Sequence, residues 1–452
     1  MSASIDQHSH SVPVATSDIQ HIPGERGLPL LGHLPELLRN PRGLRARMHD
    51  TYGPVFKTRV LGQWTVNLNG VDALQMVMQD REHNFSSEQG WDHTIGKLFK
   101  RGLMLLDFDE HRYHRRILQT AFKSDALAHY LDSMQQVARQ SFATWSEQST
   151  LRVYPAIKQL ALDNAAVAFL GIELDARADS LNQAFIDTVT ASLAVVRWPI
   201  PGLAYQRGLK GRALLHEFFA SQIAERRTKD ASDMFTLLCQ ASNDDGEAFS
   251  DEDIINHMIF LLMAAHDTVT SSLTIAIHGL AAHPQWQERL RAENAAVGDG
   301  PLDFAQLDQL EQTGWLFNEA LRLWGPVPLL PRRALRAFQF ADVEIPANTQ
   351  IAISPDSAHY DASVWSNPTA FDPERFSPAR AEHKQHAFAF CPYGGGAHKC
   401  IGMRFAQMLA KVVLREFVTT FDCTLTDGYA LDMQPLPIPK PRDGLPVRIT
   451  RR

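Results

Sequence analysis

The sequence predicts a mainly α-helical fold with small β-sheets near both ends of the chain. Helical patterning runs almost without interruption over residues 102–316. Residues 56–69 carry β-type side chains around Leu61-Gly62, which predicts a hairpin, and strand-like patterns return at residues 339–353 and near the C-terminus. The third observation is one helix of unusual length.

That long helix is predicted over residues 251–282. Ser250 is a suitable N-cap, and Phe249 can pack on Ile254 across the first turn. The helical pattern stops at His283-Pro284, because the residue before a proline is disfavoured in helical conformation. At about 1.5 Å per residue the helix is roughly 48 Å long, and a helix this apolar must run through the core.

We find no internal repeat and no long linker. Residues 1–22 are polar and unpatterned, so we expect a mobile N-terminal tail there and a single folded domain over residues 23–452.

The composition excludes several classes of protein. The chain has 452 residues and a net charge of −7, which gives no reason to expect a nucleic-acid partner. Four cysteines are too few for a disulfide framework and fit a reducing cytoplasm. The apolar run at residues 258–265 is far shorter than the roughly 20 residues of a membrane span, and the N-terminus lacks the pattern of a signal peptide. We therefore expect a cytoplasmic monomer without a membrane anchor.

The strongest functional signal lies in residues 390–402. Glycines at positions 394–396 allow a tight loop to lie flat against a planar group. Cys400 follows this loop, and a helical pattern begins at Gly402. The free N–H groups and the positive dipole end of a helix N-terminus favour a thiolate, which is the form that a soft iron ligand takes.

Two other interpretations of the loop remain open on the residues alone. Cys400 could be a buried, inert cysteine. Cys391, His398 and Cys400 could instead hold zinc, although this cysteine spacing is unusual for zinc and would leave the three glycines unexplained.

The loop resembles the haem-binding loop of the cytochrome P-450 superfamily, Phe-x-x-Gly-x-Arg-x-Cys-x-Gly. Tyr393, Gly396, His398, Cys400 and Gly402 stand at those positions. The resemblance implies the cytochrome P-450 fold, with the long helix over haem b and the cysteine loop beneath it, and Cys400 as the axial ligand of the iron. Tyr393 replaces Phe and brings a hydroxyl that needs a partner. His398 replaces the Arg that pairs with a propionate, so its charge depends on pH.

A charge motif lies in the helix near residue 320. Glu319 and Arg322 lie on one helix face, which alone is typical of a surface ion pair. The resemblance instead implies that Glu319, Arg322 and Arg375 form a buried charge triad that braces the cysteine loop.

Asp267 and Thr268 lie in the middle of the long apolar helix, where an acid and a hydroxyl are costly unless they are satisfied or used. Without the rest of the sequence, both residues are explained structurally if Thr268 bonds its own helix backbone and Asp267 pairs with a buried arginine. The stretch resembles the oxygen-activation motif of the family, which implies that Thr268 and Asp267 are catalytic and that Asp267 relays protons. Ala265 stands where the family usually has Gly.

Three further basic residues match family positions that contact haem. His111 and Arg115 are one helical turn apart and match a Trp-x-x-x-Arg pair, with His for Trp. Arg332 follows Arg322 by ten residues and matches an Arg that reaches a propionate. Alone, each is equally consistent with a solvated basic residue.

The implied reaction is insertion of one atom of O2 into a lipophilic small molecule. Two stretches, residues 198–212 and 264–268, resemble the branch of sterol demethylases and retinoid hydroxylases. This resemblance favours a steroid, terpenoid or retinoid-like substrate. A fatty acid also fits an apolar pocket. We expect the pocket to be lined from residues 90–106, 193–203, 260–264 and 327–330.

No flavin or nucleotide motif is present, so electrons must come from a separate ferredoxin or flavodoxin. Its predicted docking face comprises Lys97, Lys100, Arg101, Arg112, Arg116, Lys399 and Arg404. A peroxide-driven peroxygenase and a non-enzymatic haem-thiolate sensor are the alternatives. The Asp267-Thr268 pair argues against a peroxygenase, and the lack of an output domain argues against a sensor.

Overall fold

The structure is a computed structural model that describes residues 16–452 except residues 193, 195, 196, 244 and 245. Most of the described chain is helical. The α-helices are α1 (Leu34–Arg39), α2 (Pro41–Tyr52), α3 (Val71–Gln79), α4 (Ser87–Trp91), α5 (Phe108–Leu118), α6 (Ser124–Trp145), α7 (Val153–Ala165), α8 (Ala176–Ser192), α9 (Ala204–Arg226), α10 (Met234–Gln240), α11 (Asp251–Ala282), α12 (Pro284–Val297), α13 (Phe304–Gln309), α14 (Glu311–Leu323), α15 (Asp356–His359) and α16 (Met403–Thr420).

The strands form small sheets, so the predicted fold class is confirmed. The strands are β1 (Val55–Val60), β2 (Gln63–Leu68), β3 (Phe85–Ser86), β4 (Thr150–Arg152), β5 (Leu330–Ala334), β6 (Phe338–Phe340), β7 (Val343–Ile345), β8 (Gln350–Ile353), β9 (Phe421–Thr424), β10 (Met433–Gln434), β11 (Lys440–Pro441) and β12 (Pro446–Arg451). The largest sheet has the order β1-β2-β8-β5-β3, and a second has the order β4-β12-β9.

All three predicted strand regions contain strands. The hairpin of β1 and β2 turns at Leu61-Gly62, where both residues have positive φ. In the second region the hairpin of β6 and β7 turns at Ala341-Asp342, and β8 then joins the large sheet parallel to β2.

Helix α11 begins and ends where the sequence predicts. The Ser250 hydroxyl accepts the N–H of Asp253 at 3.1 Å, and the helix stops at His283. By length and composition alone this helix could cross a membrane, with a mean hydropathy of 1.4 in its most apolar window. However, 72% of that window is buried inside the protein, as expected for a core helix.

The N-terminal boundary was predicted too late in the chain. Ile19 and Ile22 are buried and pack with Val55 and Val66 of the first hairpin, so the fold begins before residue 23. Two apolar side chains in a polar segment were enough to anchor it. Residues 1–15 of the predicted tail lie outside the described residues.

Candidate functional site

The cysteine loop lies between α3 and the start of α16. Gly394 and Gly396 have left-handed φ values of 69° and 60°. A Cβ atom on Gly396 would overlap the carbonyl oxygen of Met78 in α3, so glycine is needed there for close packing as well as for its conformation. The N–H of Cys400 donates to the carbonyl oxygen of Tyr393 at 2.8 Å and closes the loop.

The surroundings of Cys400 correct one expectation from the sequence. Its side chain is solvent-accessible, yet burial among protein atoms raises the pKa of the Cys400 thiol, as expected for a thiol that lines a recess. The N–H of Gly402 and the charge of Arg115 lower this pKa but do not outweigh burial. Cys400 precedes the N-cap Gly402 and so lies outside helix α16. The helix terminus alone therefore does not produce a thiolate.

Basic side chains from three separate elements cluster beside the cysteine loop. The rings of His111 in α5 and His398 in the loop lie 4.1 Å apart. Arg115 is one turn from His111 and is close enough to act electrostatically on Cys400. Arg332, in β5, is close enough to both histidines to lower their pKa values. The structure thus brings together five of the predicted cofactor-binding residues.

Burial keeps both histidines neutral. It lowers the pKa of His111 to about 4, and it lowers the pKa of His398 well below its usual value, with His111 and the arginines contributing. His398 is therefore a neutral donor or acceptor rather than the cation that an arginine would supply. The Nε2 atom of His111 is buried and has no hydrogen-bond partner among the described residues.

The charge balance around the recess tests whether a haem fits. Arg332 is buried, and burial lowers its pKa to about 10; it donates to the carbonyl oxygen of Pro331. Within the described part of the chain, neither Arg332 nor Arg115 has a carboxylate within 4 Å. Buried cations normally have an anionic partner. Two unpaired guanidinium groups beside an accessible thiol fit a group that carries both carboxylates and a thiophilic metal, as haem does.

Tyr393 has a buried hydroxyl without a well-aligned partner. Gln407 is its polar neighbour, but the two side chains do not meet with hydrogen-bond geometry. Burial, together with the nearby Cys400, raises the pKa of Tyr393, so the hydroxyl stays protonated. The partner that the sequence analysis required for this hydroxyl is not found among the described residues.

Helix α11 is accessible over a short stretch in its middle. Ala264, Ala265 and Thr268 are accessible, whereas residues 254–262 and 269–277 are buried. The Thr268 hydroxyl donates to the carbonyl oxygen of Ala264 at 2.7 Å, which is the backbone bond considered for it from the sequence alone. No hydrogen bond joins Thr268 to the described residues of the cysteine loop.

Asp267 has a different partner from the arginine considered from sequence. Its Oδ1 atom lies 3.1 Å from Nδ1 of His266, without the alignment of a hydrogen bond, and 3.8 Å from Nζ of Lys158 in α7. Burial opposes ionisation, but the proximity of His266 and the charges of Lys158 and Lys440 lower the pKa of Asp267. The carboxylate is therefore ionised and held by groups on three elements.

Glu319, Arg322 and Arg375 meet as predicted and are fully buried. Arg322 forms a two-pronged ion pair with Glu319, at 2.7 Å and 2.8 Å, and Nε of Arg375 reaches the same carboxylate at 3.1 Å. Arg375 lies on the 3-10 turn Pro373–Phe376. Such a cluster is costly to break because each partner would leave a buried charge.

Sequence reasoning missed three residues around these groups. Glu382 accepts from Arg375 at 2.9 Å and extends the triad, and hydrogen bonds from Ser366 and Arg380 outweigh burial and lower its pKa to about 2. His359 accepts from the N–H of Cys391 at 3.1 Å. Lys158 is the third. Lys158 and His359 reach their partners across the fold, and Glu382, seven positions after Arg375, belongs to no pattern in the sequence that marks it.

The zinc interpretation of the loop finds no support. No group of three histidine, cysteine, aspartate or glutamate side chains that could hold a metal ion occurs within the described ranges. Cys391 is buried, and burial raises the pKa of its thiol, whereas Cys400 is accessible.

The segments predicted to line the substrate pocket separate into two groups. Phe260, Met263 and Ala264 in α11 lie in or beside its accessible stretch, and Val327 is half-buried. Trp198, Ile200 and Leu203 are exposed at the surface, so these predicted pocket residues lie outside the protein interior. Residues 193, 195 and 196 lie outside the described residues.

The predicted basic docking face is smaller than expected. Arg101 pairs with Glu110 at 2.8 Å, and Arg112 pairs with Asp109 at 3.1 Å, so acids compensate both charges. Five residues are exposed and make no ion pair in the described part of the chain. They are Lys97, Lys100, Arg116, Lys399 and Arg404.

The fold is mainly helical with a long core helix, and its cysteine loop precedes a helix and has unpaired cations beside the thiol. Together these features define a haem-thiolate oxygenase. The cytochrome P450 family model matches residues 22–441, and the chain belongs to the cytochrome P450 family. It is therefore a monooxygenase of a family that binds haem iron.

The chain is 41% identical to putative cytochrome P450 136 of Mycobacterium tuberculosis, over 97% of this chain and 90% of that protein. It is 28% identical to mouse cytochrome P450 26B1, over 94% of this chain and 86% of the relative. Among solved structures, retinoic acid-bound cyanobacterial CYP120A1 is similar, with a TM-score of 0.85, 26% identity, and coverage of 95% of this chain and 99% of that one.

Proposed function

We propose that the protein hydroxylates a lipophilic small molecule of the steroid, terpenoid or retinoid-like class, with electrons from a separate ferredoxin or flavodoxin. The observation that carries this proposal is the convergence of unpaired Arg115 and Arg332 with His111 and His398 around the accessible thiol of Cys400.

The cofactor in this proposal is haem b. Cys400 would bind the iron, which would deprotonate a coordinating thiol whatever its pKa in the free chain. Arg115 and Arg332 would neutralise the carboxylates of the porphyrin, and His111 and His398 would donate hydrogen bonds as neutral rings. When bound, the haem supplies the activation of dioxygen, which a thiolate ligand favours.

Two residues of α11 would handle protons. Thr268 has a hydroxyl on the accessible stretch that can turn from its own helix toward a bound molecule. Asp267 is ionised and lies one residue away, so it can pass protons taken from the Lys158 side of the fold. General acid–base groups of this kind contribute about 10²–10⁴-fold to rates.

The substrate class is supported by the apolar side chains beside the accessible stretch of α11 and by the similarity to a retinoic acid-bound structure. Retinoic acid, a steroid, a linear terpenoid and a fatty acid should be titrated into the haem-loaded protein while the Soret band is followed. We expect a spectral shift with the first three. A shift with the fatty acid alone would favour the fatty-acid hydroxylase alternative.

Turnover distinguishes the remaining alternatives. We expect product with O2, a ferredoxin or flavodoxin and its reductase, and little product with hydrogen peroxide alone. Efficient turnover with peroxide alone would favour a peroxygenase, and no turnover in either system would favour a sensor.

The electron donor would dock on the basic side chains that have no acidic partner. We expect Arg116→Glu and Lys399→Glu to slow reduction of the haem protein, whereas Arg112→Glu should slow it less because Asp109 already compensates that charge. Equal effects of the three variants would contradict this docking face. Size-exclusion chromatography tests the expected monomer, and fractionation of cells tests the cytoplasmic location.

A further inference from the structure

His359, at the end of helix α15, connects the buried charge cluster with the beginning of the cysteine loop. Nη1 of Arg322 donates to the carbonyl oxygen of His359 at 2.7 Å. The side chain of the same histidine, through Nε2, accepts the N–H of Cys391 at 3.1 Å. We propose that His359 is a positioning residue that holds the first turn of the cysteine loop in register with the Glu319 cluster. The proposal rests on the proposed role of Cys400 as the iron ligand.

The contacts continue from His359 to Cys400 without a gap. The carbonyl oxygen of Cys391 accepts the N–H of Gly394 at 3.0 Å, which forms the first turn of the loop. The carbonyl oxygen of the intervening Tyr393 accepts the N–H of Cys400 at 2.8 Å. A displacement of Cys391 therefore moves the residue that fixes the backbone of Cys400.

The imidazole packs against an aromatic side chain in addition to its hydrogen bond. Its ring centroid lies 5.5 Å from that of Phe390, which in turn packs edge-on against Phe376 at 4.9 Å. Trp365 is fully buried beside them and donates through Nε1 to the carbonyl oxygen of Ala358 at 2.9 Å. The imidazole itself is fully buried, so this packing opposes its rotation away from Cys391.

This role requires a neutral ring with an unprotonated Nε2, because only that tautomer accepts a hydrogen bond there. Nδ1 then carries the proton, and it is buried without a hydrogen-bond partner among the described residues. Burial lowers the pKa of His359 to about 4; Asp356 opposes this shift, and Arg322 and Arg42 add to it. Burial thus keeps the ring neutral at neutral pH, so that Nε2 can accept the hydrogen bond.

Two substitutions of His359 distinguish the effect of its hydrogen-bond acceptor from the effect of its side-chain volume. His359→Leu fills the space without an acceptor, and His359→Gln keeps an oxygen acceptor at a similar reach. His278→Leu is the matched control, since it removes another largely buried, neutral imidazole that belongs to α11 and has no bond to the loop.

The probe is alkylation of the haem-loaded protein by iodoacetamide, followed at each cysteine by mass spectrometry. Cys391, Cys239 and Cys423 are all buried, so the last two report any general loosening of the fold in the same sample. We expect His359→Leu to accelerate labelling of Cys391 by about tenfold or more with the other two unchanged, as for a local opening. In His359→Gln and His278→Leu the rate at Cys391 should stay near that of the native protein.

An unchanged rate at Cys391 in His359→Leu would overturn the proposal, and so would equal acceleration at all three buried cysteines. Failure of the proposed function looks different. If Cys391 opens selectively but the native protein has no thiolate-type spectrum, His359 positions the loop while Cys400 is not the iron ligand.

Discussion

Arg322 and Glu319 face each other one helical turn apart in α14, and their fully buried side chains form two charged hydrogen bonds of 2.7 Å and 2.8 Å. The remaining donors of Arg322 bind backbone carbonyls of residues 359, 368 and 370, ahead of the cysteine loop. The pair therefore links a helix of the core to the irregular segment that leads to Cys400.

Glu319→Gln should lower the free energy of unfolding by about 3–5 kcal/mol, because it leaves the buried guanidinium group of Arg322 without a carboxylate and that of Arg375 with Glu382 alone. Denaturant unfolding and haem content should be measured together, and we expect most of the purified variant to lack haem. Glu288→Gln is the control: Glu288 makes the same i,i+3 contact with Arg291, but its own side chain is exposed. Its loss should cost less than about 1 kcal/mol. Similar losses in both variants would contradict a special role for the buried pair.

Arg332→Met should weaken haem retention by about 10–100-fold, since a hydrogen bond to a charged group contributes about 1.5–3 kcal/mol. The rate at which haem transfers to an excess of an apo-globin measures this retention. The neighbouring Arg333→Met is the control, because Arg333 donates to the carbonyl oxygen of Asn348. Equal retention in the two variants would mean that Arg332 does not contact the haem.

Thr268→Val should leave folding and haem binding unchanged and divert electrons to hydrogen peroxide. The hydroxyl of Thr268 lies on the accessible stretch of α11, and valine keeps its shape without a donor. Peroxide released per electron consumed is the measurement. Thr274→Val is the control, because Thr274 makes the same backbone bond in a fully buried turn of this helix. Unchanged coupling in Thr268→Val would argue against a role in oxygen activation.

The pH dependence of turnover should follow the charges around Asp267. Lys158 and His266 help to lower the pKa of Asp267, so the carboxylate stays ionised to a lower pH than usual. Lys158→Met removes a positive charge and should raise this pKa, which moves the acid limb of the kcat profile to higher pH. The surface variant Lys229→Met should leave the profile in place. A shift to lower pH in Lys158→Met would contradict the assignment.

Much of the fold and of the site could be predicted because the signals are local. Ser250 and His283-Pro284 mark the ends of α11, and the glycines before Cys400 mark the loop, each within a few residues.

What could not be predicted depends on packing between distant segments. Lys158 lies 109 positions before its partner Asp267, and His359 lies 32 positions before its partner Cys391. The raised pKa of the Cys400 thiol follows from burial, which the helix-terminus argument did not include. Ile19 and Ile22 joined the core although their surroundings are polar.

The absorption spectrum of the dithionite-reduced, carbon monoxide-bound protein tests the central claim most directly. If Cys400 binds the haem iron as a thiolate, the Soret band will shift far to the red, and Cys400→His will lose this shift while retaining haem. A native Soret band at the position typical of histidine-ligated haem, or no haem after expression with ample haem supply, would contradict the account.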